Sequence, residues 1–197
     1  MTEAALAANA TAQAPAVIVQ LLEKLAVPYQ VRAERPGQPS EARLQAVLVD
    51  DAVGALLVLY PRSHLLDLSR LAELTGRQLT AVKPERLERM LGKHNLAALP
   101  GLPPLTSSPC LYEERLLQVP SLLIESGQPG VLLEIPTEAF KALLSKASAA
   151  RFGEPVSAIK PNLDRPHDDR EEITQAVRAF TARRIQQRLE ETIEIPP

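Results

Sequence analysis

The stretch LQAVLVDDAVGALLVLYP (44–61) constrains this chain more than any other. Two apolar runs, 44–49 and 55–60, flank Asp50-Asp51-Ala52-Val53-Gly54, a cluster of turn formers. Each run is built for burial, and the pair reads as a β-hairpin. The two aspartates look like a carboxylate pair, but Asp is favoured in turns for its local hydrogen bonding, and the pair is assigned to turn geometry. Gln45 is the polar residue that opens the first run, which makes it either an ordinary strand start or a functional position.

Helical and strand patterns surround this hairpin. Val17, Ile18, Leu21, Leu22 and Leu25 recur at helical spacing, so residues 15–26 are predicted to form an amphipathic helix with Pro15 in its first turn. Pro28 ends it, a short strand starts at Tyr29-Gln30-Val31, and residues 34–42 are a loop. A helix is expected at 64–75 with Gly76 as its stop, then a strand at 78–82, and a second helix from Pro84 to Gly92. LPGLPPLTSSP (99–109) is proline-rich and is expected to be a loop without helix. Strands follow near 110–117, 121–126 and 131–135, then a helix at 137–147 with Thr137 as its N-cap. Residues 148–166 read as connecting chain.

A long helix is expected at 168–193. Its first turn carries Asp168, Asp169, Glu171 and Glu172, where the helix dipole favours anions. Residues 1–14 are Ala/Thr/Gln-rich and read as a disordered tail. The element order is therefore α+β, with a 15–150 domain followed by a linker and connector helix over 151–197.

Composition excludes several classes of function. The net charge is −2, so the surface as a whole is not a duplex nucleic-acid binder. KPERLERMLGKH (83–94) is locally basic and reads first as a solvated helix face with i,i+4 pairs. No apolar run reaches membrane-spanning length and the N-terminus lacks a basic n-region. Cys110 is the only cysteine. It admits no intramolecular disulfide, suits a reducing cytoplasm, and reads as a small buried apolar residue. His64, His94 and His167 are dispersed and lack paired cysteines, so neither a metal nor a cofactor is expected. No G-x-S-x-G elbow, Walker pattern or dinucleotide glycine pattern is present.

Several segments together resemble the YbaK/prolyl-tRNA editing family of aminoacyl-tRNA deacylases. They are LAVPY, the hairpin, HLLDLSRLAELTGRQL, GKHNLAALPGL, CLYEERL and SGQPGVLLEI. The resemblance covers about residues 15–147. It implies a compact mixed sheet, partly barrel-like and flanked by helices. It also implies hydrolysis of the ester joining a wrong amino acid to tRNA, with the acceptor 3′ end held in a pocket.

Carried over by position, the family lysine falls on Gln45, and the loop pattern G-x-x-x-G-G-x-x-P falls on Gly92 to Pro100 with Leu96 and Ala97 at its paired glycines. A later family Asp falls near Glu113, and the SGxxG-like turn is kept as Ser126, Gly127 and Gly130. The resemblance thus makes Gln45, Gly92 and Pro100 the catalytic positions and Leu96, Ala97, Glu113, Gly127 and Gly130 the substrate-binding ones. Gln45 carries no charge, which weakens a grip worth about 1.5–3 kcal/mol when charge-assisted. Leu96 and Ala97 place side chains where glycine leaves room for backbone N–H groups to approach an oxyanion.

Some proteins of this kind join such a domain to an HDOD signalling module through a helical connector, and QQRLEETIEIPP resembles that border. Two readings follow. One is a trans-editing hydrolase acting on mischarged tRNA. The other is a non-catalytic sensor that uses the same pocket for a tRNA end, an amino acid or a nucleotide and signals to a C-terminal HDOD partner. The apolar stripe Ile173, Val177, Phe180, Ile185 and Leu189 also offers a surface for homodimer pairing.

Overall fold

A computed structural model describes residues 13–35, 37 and 41–156. The predicted tail apart from its last two residues, the 168–193 helix and its dimer stripe, and the HDOD-like border lie outside the described residues.

The hairpin forms as expected. β2 (Leu44–Asp50) pairs antiparallel with β3 (Ala55–Pro61), Gln45 opposite Tyr60 and Asp50 opposite Ala55. Asp51 builds the turn: its Oδ1 accepts from Val53 N at 2.8 Å and Gly54 N at 3.1 Å. Arg77 clasps it from outside, donating to Asp51 Oδ2 at 2.9 Å and to Gly54 O at 2.6 Å. The Arg77 guanidinium holds the Asp51 carboxyl far below its ordinary value of 3.8. A depressed carboxyl contributes stability that is present above the unfolded pKa and lost as pH falls through the folded one. Asp51→Asn should therefore lower the melting temperature at pH 7, and the gap to wild type should close only below about pH 4. Thermal melts across pH 2–7 test this, and a gap that does not depend on pH would refute it.

β3 is the centre of a mixed five-stranded sheet. The order is β5 (Thr80–Ala81), β2, β3, β6 (Cys110–Glu113) and β9 (Ala147–Ala150). The β3–β6 and β6–β9 pairs are parallel. Leu57, Val58 and Leu59 are fully buried, as a strand covered on both faces requires.

Alternation along β2 and β3 sends Leu44, Leu48, Leu57 and Leu59 to one core, shared with Ile18, Leu22, Ile124 and Phe140. Val49 and Val58 go to a second core with Leu71, Leu111 and Phe152. A three-stranded antiparallel sheet, β1 (Gln30–Ala33), β8 (Val131–Pro136) and β7 (Ser121–Glu125), meets the first through an isolated Arg43–Leu123 bridge. β4 (His64–Leu66) and β10 (Gly153–Pro155) form a two-stranded ribbon. The sheets end in open edges among the described residues, so the expected partial barrel is not closed.

Among the described residues five α-helices flank these sheets: α1 (Ala16–Lys24), α2 (Leu68–Thr75), α3 (Pro84–Gly92), α4 (Pro103–Thr106) and α5 (Thr137–Leu143). None is long and apolar enough to cross a membrane.

Five expectations need correction. The strand foreseen near 110–117 ends at Glu113, and Glu114–Gln118 turns into a short 3-10 helix. The helix foreseen from residue 64 starts only at Leu68, because Asp67 caps it by accepting from Ser69 N and Arg70 N, while His64–Leu66 pairs as a strand. The proline-rich stretch contains one helical turn, since prolines fit the first positions of a helix. Thr137 is the first residue of α5, not its cap, and its hydroxyl donates to Val119 O at 2.5 Å. Residues 147–155 supply two strands where connecting chain was expected.

Candidate loop cleft

The loop after α3 and the turn after β7 meet each other. α3 closes through His94 N to Leu91 O at 3.0 Å and Asn95 N to Gly92 O at 3.2 Å, with Asn95 left-handed at φ 53°. The chain then crosses to the turn: Ala97 N and Ala98 N both donate to Gly127 O, at 2.8 and 3.2 Å. Gly127 adopts φ 87°, which glycine takes without strain. The Leu96 side chain packs against it, such that a Cβ on Gly127 would lie 2.7 Å from Leu96 Cδ2. Ser126, fully buried, accepts from Gln128 N at 3.3 Å and so shapes the turn. Beyond Pro100, Gly101 passes so close to Leu44 that a Cβ would sit 2.1 Å from its Cδ2.

These segments and the start of α1 enclose a cleft of about 410 Å3, lined by Pro15, Ala16, Val17, His94, Asn95, Ala97, Gly127 and Gln128. Among the described residues its only titratable lining group is His94, and no carboxylate, lysine or thiol lines it.

Of the positions picked from sequence, Leu96, Ala97 and Gly127 come together here. Gly92 ends α3, exposed, and Pro100 is buried behind the loop; neither lines the cleft. Gly130 closes the turn, its carbonyl accepting from Glu34 N at 2.8 Å. Gln45 is exposed on β2 and is not among the lining residues. It shares its strand face with Val47 and Val49, which pack in the second core, whereas Leu96 belongs to the first. Glu113 is fully buried and lies elsewhere, its Oε2 accepting from Phe152 N and Gly153 N at 2.8 Å each. Nearby, burial and the Arg115 charge push the His64 imidazole below its ordinary pKa.

Sequence reading missed three features. The first turn of α1 and the His94-Asn95 pair form cleft walls, and no local pattern announces either. The third is Arg43, whose side chain is 10% exposed and which pairs with Glu34 at 2.5 Å and with Glu125. Glu125 leads into the turn and Glu34 bonds its last glycine, so Arg43 clasps both ends of the 126–130 segment.

Comparison with known proteins places this geometry. The family model described as "Aminoacyl-tRNA editing domain" matches residues 26–143. No match to a curated protein was found. Among solved structures, a protein from Marinobacter aquaeolei VT8, provisionally described as a signal transduction protein, is 33% identical with a TM-score of 0.71. That alignment covers 92% of this chain but only 40% of the other, so the chain spans less than half of that relative's length. A protein provisionally described as a trans-editing enzyme for prolyl tRNA synthetase is 24% identical with a TM-score of 0.59. That alignment covers 71% of this chain and 97% of the other, and at this identity it speaks for the fold alone. The family match takes in the hairpin, the 92–101 loop, the 126–130 turn and all of α5, and on that basis the chain belongs to the aminoacyl-tRNA editing domain family.

Proposed function

We propose that this domain is a non-catalytic member of the editing family. It binds the aminoacylated 3′ end of tRNA in the loop cleft and relays occupancy to a C-terminal partner domain. The observation that carries this reading is the pairing of Ala97 N and Ala98 N with Gly127 O. In ester hydrolysis such backbone donors stabilise the oxyanion, and one donor lost costs about 10²–10³ in rate. Here both are consumed within the protein. Leu96 fills the space beside Gly127, and among the described residues no carboxylate lines the cleft to activate water and no lysine to hold the substrate. Gln45 stands on the other strand face and supplies no substitute.

What is left suits binding. An open, largely apolar cleft with His94 and Asn95 at its mouth can take a terminal ribose and a small side chain. A relay fits the length of the 33% identical signal transduction protein, of which this chain matches 40%. An HDOD-type module beyond residue 197 is the partner this reading assigns, in a cytoplasmic setting consistent with a lone buried cysteine.

Deacylation of Pro-, Ala- and Cys-charged tRNA tests the reading. Wild type should release amino acid no faster than buffer, and Gln45→Lys should remain inactive, while charged tRNA still binds in a filter assay. Wild-type turnover well above buffer would refute the non-catalytic reading. Activity gained by Gln45→Lys would show that position 45 reaches the ester after all.

A further inference from the structure

Helix α1 borders two clefts. Its first residues wall the loop cleft, and its last turn walls a larger one of about 720 Å3, between α1, the 103–110 stretch and the end of α5. This second cleft contains none of the positions assigned to the editing site. Its floor is apolar, with Leu143 and Cys110 almost fully buried and Leu21 half-buried, while Leu25 stands 41% exposed at its edge. Burial pushes the Cys110 thiol up to about 12, so it stays protonated and acts as an apolar wall, not as a nucleophile.

The polar side of the cleft has one sign. Lys24 and Lys146 line it and, among the described residues, no Asp or Glu does. Like Lys83 and Lys93, neither of these lysines has an ion pair among the described residues. One lysine at a helix end is ordinary, because it complements the dipole there. Two lysines from different elements, on one apolar cleft that no described Asp or Glu lines, favour an anionic ligand with an apolar body. The volume lies within the range of small-molecule sites, about 300–1,000 Å3.

We propose that this cleft binds a small amphipathic carboxylate, with its alkyl or aryl body against Leu21, Leu143 and Cys110 and its carboxylate on Lys24 and Lys146. The apolar body supplies most of the affinity, and the two ammonium groups select the acid over its neutral analogue. The site is separate from the loop cleft and does not depend on the non-catalytic reading.

Octanoate and octanol, titrated into the full chain and followed by amide NMR, test it. Octanoate should shift the amides of Leu21, Leu25, Leu143 and Ala147 to saturation, and octanol should bind about tenfold or more weakly, as loss of charge-assisted bonds implies. Lys24→Gln/Lys146→Gln should bring octanoate down to the octanol level without changing the melting temperature, both lysines being exposed. Equal binding of the acid and the alcohol, or octanoate binding indifferent to the double substitution, would overturn the proposal. Shifts produced only by an acidic amphipathic peptide, with octanoate inert, would overturn it too and make the cleft a protein-docking groove.

Discussion

Arg43→Met should destabilise the domain by about 2–3 kcal/mol, lowering the melting temperature by roughly 4–12 °C for a chain of this size. The Arg43 side chain is 10% exposed and serves two glutamates, Glu34 and Glu125. Removing one partner of a fully buried pair costs about 3–5 kcal/mol, because the other charge is stranded. The cost here is smaller, since Glu34 is 38% and Glu125 27% exposed and water reaches both. Methionine keeps the aliphatic packing, so the loss reports the charge.

The sign of the pH dependence is also determined. The hydrogen bond from Arg43, and then its charge, hold the Glu34 carboxyl below its ordinary value of 4.5. That contribution is complete above the unfolded pKa and disappears as pH falls through the lower folded one, so the gap between variant and wild type should narrow below about pH 4.5. Urea melts at pH 7 and pH 3.5 measure it. A variant as stable as wild type at pH 7 would mean that the 126–130 turn is held without this clasp. Since Glu125 and Glu34 grip the two ends of that turn, the variant should also broaden the amide signals of Ser126 to Gly130.

Arg43 marks the limit of what the sequence discloses. The hairpin was legible because its apolar runs and its turn residues agree with each other, and the register follows from the turn. α2 was legible in its body and its Gly76 stop, but its start was misplaced. His64, Leu65 and Leu66 continue the helical spacing, and only pairing with β10, ninety residues away in the chain, makes them a strand. β9 and β10 were missed for a related reason. ASAA and GEP carry no β signal, and they become strands because β6 and β4 offer them unpaired edges. The 92–100 loop and the 126–130 turn were legible as motifs, whereas their contact, Leu96 on Gly127, is set by tertiary packing. A strand position is readable in sequence, but the side of the sheet on which its neighbours gather is not. For that reason Gln45 could be aligned with a family position while its strand face, shared with the second core, stayed hidden.

Gly127→Ala should cost about 2–5 kcal/mol, and Leu96→Ala should recover part of that cost. At φ 87° an alanine is strained by about 1–2 kcal/mol whatever surrounds it. Its Cβ would also lie 2.7 Å from Leu96 Cδ2, and Leu96 is 8% exposed and packed in the main core, so it cannot swing away freely. Such overpacking adds about 1–3 kcal/mol. Leu96→Ala alone should cost about 2–3 kcal/mol, the lower part of the range for a core leucine, because the site borders a cleft that can partly close. The clash does not exist in the double variant. The double should therefore be less destabilised than the sum of the singles by about 1–2 kcal/mol, a coupling that denaturant melts of all four proteins resolve. Strict additivity would show that Leu96 and Gly127 do not touch as described, and the case for a filled site would lose its packing half. A favourable coupling identifies Leu96 as the side chain occupying the room that a glycine at this loop position would leave empty, immediately beside the carbonyl that captures Ala97 N and Ala98 N. Under the non-catalytic reading, turnover would require both the space beside Gly127 and the Ala97 and Ala98 donors to be freed.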